Sequence, residues 1–236
     1  MELVTCSDPA DLARRAGGFL IERLQDKPDL VVAVPAGRTP RAMYAHLAAS
    51  YADPSRFSRM RVFAVDELCP PAPADGYFWR QIRSEFLDWA RIPTGQRYPF
   101  LVDAPDLASM CQDYEATIRA CGGLDLVMLG LGPNGHLASN EPGSAFDSAT
   151  RLVELRPDTV QYILTDDVIQ GSVSSRAVTL GLGTILAARE VAVLVDGAHK
   201  RAPLRAMLEG PVTPDLPASI LQRHPRCTVL AGRAAL

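Results

Sequence analysis

The chain has 236 residues, 47% of them hydrophobic and 22% charged, with a formal net charge of −3. At ~100–200 residues per domain this is one large domain or two small ones, and such a globule buries roughly 70–75% of its unfolded surface without needing staples. The apolar share excludes a disordered chain and the acidic balance argues against nucleic acid as a partner, while apolar runs such as 30–36 and 124–131 stop short of the ~18 residues of a membrane helix.

Met1-Glu2-Leu3-Val4 has no basic region leading into an apolar one, so no secretory signal is expected. Ser7-Asp8-Pro9 combines a capping hydroxyl with a first-turn proline and starts a helix. Leu12, Leu20, Ile21 and Leu24 continue it at helical spacing to Asp26, although Gly17-Gly18 weakens it. Residues 30–34 are continuously apolar and β-branched, as in a strand covered on both faces. Pro35-Ala36-Gly37-Arg38-Thr39-Pro40 follows, and Met43, Tyr44 and Leu47 restart a helical pattern. A second strand, 61–65, ends at Asp66-Glu67; a loop with Pro70, Pro71 and Pro73 leads to an amphipathic helix over 77–89. A helix over 105–120 and a strand over 124–129 come next. Residues 150–155 suit a strand, whereas 156–175 are polar with no clear period. Strands near 177–180, 191–195 and 227–230 and a helix near 200–209 complete the chain. The alternation predicts an α/β fold with a mostly parallel central sheet and helices on both faces. Without repeats, linkers or low-complexity tracts, residues 1–236 are expected to form a single domain. The cysteines at 6, 69, 111, 121 and 227 are odd in number and lack Cys-x-x-Cys spacing, which fits scattered reduced thiols in the cytoplasm.

Ligands of open α/β sheets bind beyond the carboxyl ends of the strands, and three polar clusters fall there. In the first, Gly37 allows close backbone approach, free N–H groups at a helix start attract anions, Thr39 adds a hydroxyl and Arg38 a cation. The same residues also fit an ordinary strand–turn–helix junction. In the second, Asp66-Glu67, a carboxylate at a strand end is either a general base or a cap. The third, residues 130–143, holds four glycines and two prolines and displays His136, with Glu141 near enough in sequence to orient its imidazole. A His–carboxylate pair in such a loop is a proton-transfer device, and no second His or Cys lies at metal-ligand spacing. Lys200 follows an apolar strand and offers a cation for phosphate, or is solvated; His46, His199 and His224 read as surface or packing residues.

The sequence Pro35–Pro40, Val65-Asp66-Glu67, Gly132-Pro133-Asn134-Gly135-His136, Asn140-Glu141-Pro142 and Gly181-Leu182-Gly183-Thr184-Ile185 stand in the order of one family. They resemble the glucosamine-6-phosphate deaminase/isomerase and 6-phosphogluconolactonase superfamily, over residues from about 30 to about 230. The resemblance implies a Rossmann-like fold of the deaminase/isomerase type and no cofactor. Asn140-Glu141-Pro142, Gly181–Thr184 and His224-Pro225 look like the deaminase branch, whereas Leu216-Pro217-Ala218-Ser219 is closer to lactonases. Asn134 stands where many deaminases have Asp, and Arg38 replaces a residue that is usually small. An ungapped alignment puts Thr165 where deaminases carry a phosphate-binding Arg; either Arg38 replaces that charge or the alignment slips. The chain ends at Leu236, short of the C-terminal segment of the allosteric hexamers, so control by N-acetylglucosamine 6-phosphate is not expected.

By this resemblance the partner is a small sugar phosphate gripped by Gly37, Arg38, Thr39 and Lys200. Asp66, His136, Glu141 and Asn134 form the catalytic set, with His136 opening the ring and Asp66 moving a proton from C2 to C1 before ammonia leaves. Lactone hydrolysis with His136 activating water is the alternative. A sugar-phosphate sensor is the third reading, but such sensors are fused to a DNA-binding domain, for which nothing before Leu30 leaves room. Both monomer and homo-oligomer stay open.

Overall fold

A computed structural model describes residues 1–51, 53–73, 75–166, 169 and 173–236. Its strands are β1 (Glu2–Cys6), β2 (Val31–Val34), β3 (Arg61–Ala64), β4 (Asp66–Leu68), β5 (Arg97–Tyr98), β6 (Leu126–Gly130), β7 (Arg151–Glu154), β8 (Arg176–Thr179), β9 (Glu190–Val195) and β10 (Cys227–Gly232). Its α-helices are α1 (Pro9–Asp26), α2 (Arg38–Ser50), α3 (Phe78–Ile82), α4 (Leu107–Ala120), α5 (Pro157–Leu164), α6 (Leu182–Leu186) and α7 (Arg201–Glu209).

Every residue of β2, β9 and β10 is buried, as strands covered on both faces require; β2 is wholly apolar, whereas β9 starts at Glu190, which pairs with Arg23, and β10 includes Thr228. These strands belong to a seven-stranded sheet, in the order β1-β10-β9-β6-β2-β3-β5, whose pairings are all parallel. From β2 the chain proceeds to β3 on one side; from β6 it reaches β9 on the other. Winding therefore reverses between β2 and β6, where an open α/β sheet leaves a crevice beyond its strand ends.

Within α1, one of the two glycines expected to weaken the helix, Gly17, has a packing role, while Gly18 faces open space. A Cβ on Gly17 would stand 3.0 Å from His46 Cδ2 and 3.3 Å from Leu47 Cδ2, so glycine lets α1 approach α2. The cap is not the expected Ser7 hydroxyl but the Asp8 carboxylate, which accepts from the Asp11 N–H at 2.8 Å. The 77–89 helix is α-helical only over α3 and then widens into a π turn over Arg83–Leu87.

The small sheet is the main departure from the expected architecture. Strands β4, β8 and β7 form a separate antiparallel sheet, with Asp66 opposite Thr179 and Glu67 opposite Val178. The chain bends at Val65, whose carbonyl accepts from the Leu180 N–H at 2.8 Å, and so leaves the parallel sheet just before Asp66. Two edge strands, β1 and β5, were not expected. Nor was α5, inside the polar stretch 156–175; Thr159 is its one buried residue, so it carries no core-facing period. Residues 167, 168 and 170–172 of that stretch lie outside the described residues. All five cysteines are free thiols. No helix among the described residues is long and apolar enough to cross a membrane.

Candidate active site

The loops after β2, β3, β6 and β9 meet in one cleft, lined among others by Gly37, Arg38, Asp66, Gly132, His136 and Lys200. It lies at the crevice where the winding reverses.

Gly37 has φ 109°, a region that side chains rarely adopt. Its N–H donates to Gln81 Oε1 and its carbonyl accepts from Gln81 Nε2, both at 3.0 Å. Gly37 therefore does not offer the free N–H expected of it. The orphan donors of the first turn of α2 are the N–H groups of Arg38 and Thr39, since Pro40 has none. Gln81 is steadied by Glu85 Oε2 at 2.9 Å and placed by the start of α3. That start is held by Glu67, fully buried, which accepts from the N–H groups of Leu68, Tyr77 and Phe78 at Oε1 and from Trp79 at Oε2. Burial pushes the Glu67 carboxyl up to about 7 against the pull of these donors. The two readings of Asp66-Glu67 thus divide: Glu67 is a buried cap, and Asp66 faces the cleft.

The cations come from two elements. Arg38 donates to Thr165 Oγ1, pairs with Asp166 at 3.6 Å, and has its guanidinium carbon 5.4 Å from the Tyr162 ring centre. Lys200 Nζ lies 4.7 Å from the same ring centre. Lys200 is only 6% exposed; burial, with Arg38 adding to it, lowers its ammonium to about 8. Arg38 therefore stands against the position where the resemblance expects a lid arginine. Arg41 ties the same corner together, pairing with Glu85 at 3.0 Å and Asp166 at 3.2 Å. His199 is exposed but has its ring 6.2 Å from Tyr162, in this neighbourhood. His224 is a buried packing residue, with Nε2 3.0 Å from the Ala188 carbonyl and Nδ1 accepting from the Arg226 N–H at 3.1 Å.

In the histidine loop, a Cβ on Gly132 would fall 2.3 Å from the His136 ring, so glycine is the residue that fits beneath the imidazole. Glu141 does not touch His136 directly, contrary to the simplest expectation. His136 Nδ1 lies 2.8 Å from Asn134 Oδ1, and Asn134 Nδ2 donates to Glu141 Oε2 at 2.8 Å. A carboxylate only accepts, so the Asn134 NH₂ must face Glu141 and its oxygen must face the imidazole. Nδ1 then carries the proton and Nε2 keeps the lone pair. Burial pushes His136 down to about 4, opposed by Glu141 and reinforced by Lys200, so the ring is neutral near pH 7. Asn140 braces the loop from inside: its NH₂ donates to the carbonyls of Leu137 and Leu180, and its oxygen accepts from Arg151. The lactonase-like stretch Leu216–Ser219 supports the loop through Ala218 N–H to the Gly135 carbonyl at 2.9 Å.

Asp66 Oδ2 accepts from Ser139 Oγ at 2.7 Å, and burial pushes its carboxyl up to about 6. Ser139, Gln81 and Tyr162 are the neighbours that sequence reasoning missed. Ser139 lay within the glycine-rich loop, but its partner is 73 positions away.

The family of glucosamine-6-phosphate isomerases/6-phosphogluconolactonase matches residues 7–230. A glucosamine-6-phosphate deaminase of Pseudarthrobacter chlorophenolicus is 38% identical over all of this chain and 91% of its own. Glucosamine-6-phosphate deaminase 2 of Bacillus subtilis is 34% identical over 100% and 96% of the two chains. The solved structure of a monomeric glucosamine-6-phosphate deaminase superposes with a TM-score of 0.93 at 29% identity, covering 100% of this chain and 98% of the other. The 6-phosphogluconolactonase of Trypanosoma cruzi shares the fold, with a TM-score of 0.78 at 22% identity over 99% and 95%.

Proposed function

Because the chain belongs to the glucosamine-6-phosphate isomerase/6-phosphogluconolactonase family, we propose that it isomerises glucosamine 6-phosphate with release of ammonia, yielding fructose 6-phosphate. The observation that carries this reading is one cleft holding two cations, a neutral histidine and a half-buried aspartate. Deaminase relatives matching the full chain support it.

The substrate phosphate sits between Arg38, Lys200 and the N–H groups of Arg38 and Thr39, where α2 presents its positive end. Gly37 shapes this turn through its clamp on Gln81. His136 Nε2 takes the proton of the anomeric hydroxyl and returns it to the ring oxygen, so the C1–O5 bond breaks and an aldehyde forms. Asn134 and Glu141 hold the imidazole in the tautomer this needs. Asp66 then removes the C2 proton while the substrate ammonium gives a proton to O1, leaving a C1–C2 enolamine, and Asp66 delivers its proton to C1. Water adds to the resulting C2 iminium, ammonia departs, and the ketose phosphate remains. The free thiols and the sugar-phosphate substrate support a cytoplasmic setting.

The test is ammonia release measured beside fructose 6-phosphate formation from glucosamine 6-phosphate. Equal amounts are expected, with Asp66→Asn binding substrate but turning over at least ~10²-fold more slowly. No ammonia from glucosamine or galactosamine 6-phosphate, together with hydrolysis of 6-phosphogluconolactone, would overturn the reading in favour of the lactonase. In that case His136 would activate water and Glu141→Ala would be tolerated.

A further inference from the structure

A carboxylate that moves a proton between adjacent carbons must keep one oxygen aimed at both and must be ionised when substrate arrives. Burial works against the second requirement for Asp66. We propose that Ser139 is the positioning residue of the proton shuttle: its hydroxyl holds Asp66 Oδ2, turns Oδ1 to the substrate and favours the ionised carboxylate. The inference rests on the role given to Asp66 above.

The 2.7 Å separation is that of a charge-assisted O–H···O⁻ bond. Ser139 is itself buried, and its N–H donates to Thr179 Oγ1 at 3.1 Å. Thr179 is the residue opposite Asp66 in the β4–β8 pairing. One strand pair therefore anchors both ends of the hydrogen bond. The Thr179 hydroxyl is spent on the Leu180 carbonyl at 3.1 Å, which leaves it no proton for Asp66. Ala138, just before Ser139, has φ 49°, a left-handed conformation that a non-glycine residue rarely adopts. That turn lets the loop present His136 and Ser139 to the same cleft.

The other titratable groups around Asp66 are engaged elsewhere. The Glu67 carboxylate points to the N–H groups at the start of α3. The Tyr114 hydroxyl of α4 is taken up by the carbonyls of Ala64 and Tyr98. His136 faces Asn134, and Lys200 stands over Tyr162. Ser139 is thus the one side chain among the described residues that hydrogen-bonds the Asp66 carboxylate.

The experiment compares kcat/KM against pH for the unmodified protein, Ser139→Ala, Ser139→Thr and Asp66→Asn, with glucosamine 6-phosphate as substrate. Without the hydroxyl, burial is unopposed, so the acid limb in Ser139→Ala should move up by about one pH unit. On the plateau, kcat should fall several-fold with KM within twofold; Ser139→Thr, which keeps the hydroxyl, should restore the limb. The substrate phosphate also titrates near ~6, but equally in every variant, so it produces no displacement between them. An acid limb that stays put in Ser139→Ala while Asp66→Asn is inactive overturns the inference alone. Full activity in Asp66→Asn overturns the shuttle and the inference with it. A lowered melting temperature with an unmoved limb would mark Ser139 as merely structural and also overturn it.

Discussion

Replacing Arg38 by alanine tests the phosphate grip with a magnitude that follows from its surroundings. A hydrogen bond to a charged group contributes about 1.5–3 kcal/mol, but the Arg38 side chain is 45% exposed, and solvent screening takes up much of that. The guanidinium is bonded to Thr165 and paired with Asp166, and those contacts compete with a phosphate for it. The net loss should be about 1.4 kcal/mol, which is tenfold in KM, with kcat unchanged because the contact is equal in ground and transition states. Competitive inhibition by inorganic phosphate should weaken by the same factor, which separates a phosphate effect from one on the sugar. Thr165 adjoins the guanidinium, so Thr165→Arg in the Arg38→Ala background should recover most of the affinity. A fall in kcat with KM and phosphate inhibition untouched would refute the assignment.

Three further outcomes follow from the geometry. kcat/KM should rise through pH about 6, as Asp66 ionises, and fall above about 8, as Lys200 loses its charge; His136, at about 4, stays neutral throughout. The alkaline limb should be absent from kcat, because bound phosphate keeps Lys200 protonated. Asn134→Ala should lower kcat by about 10–100-fold with little change in KM, since it frees the imidazole tautomer, and ¹⁵N NMR of His136 should show the Nδ1 proton no longer fixed. Glu67→Gln puts an NH₂ group against the backbone donors of α3; a loss of about 3 kcal/mol should lower the melting temperature by roughly 6–12 °C, read by calorimetry. Because α3 carries Gln81, KM should rise as well.

The parts of the fold legible in the sequence were those whose environment leaves a pattern. Strands β2 and β9 are wholly buried, and β2 and the part of β9 from Val191 to Val195 read as unbroken apolar runs. Strand β1 sits at the sheet edge with Cys6 as its one buried residue, so Glu2-Leu3-Val4-Thr5 shows neither a run nor an alternation. Helix α5 borders the cleft instead of the core and left no period. The small sheet was hidden because antiparallel pairing between β4 and β8 joins residues more than a hundred positions apart. At the site, the residue types in the histidine loop were legible, but their wiring was not. Side-chain reach decided that Asn134 stands between His136 and Glu141, and that Gln81 occupies the Gly37 N–H. Neither follows from spacing along the chain.

The turns after β2 and β9, proposed to grip the phosphate, belong to the parallel sheet, whereas Asp66 is carried by the small antiparallel sheet. In the proposed mechanism the proton shuttle is therefore carried by one sheet, while the phosphate grip and the ring-opening His136 are carried by the other. A substitution at Asp66 would alter the proton shuttle while the turn at Gly37 stays in place, whereas one at its β4 neighbour Glu67 would reach both sheets, because Glu67 holds the start of α3 and α3 carries the Gln81 that clamps Gly37.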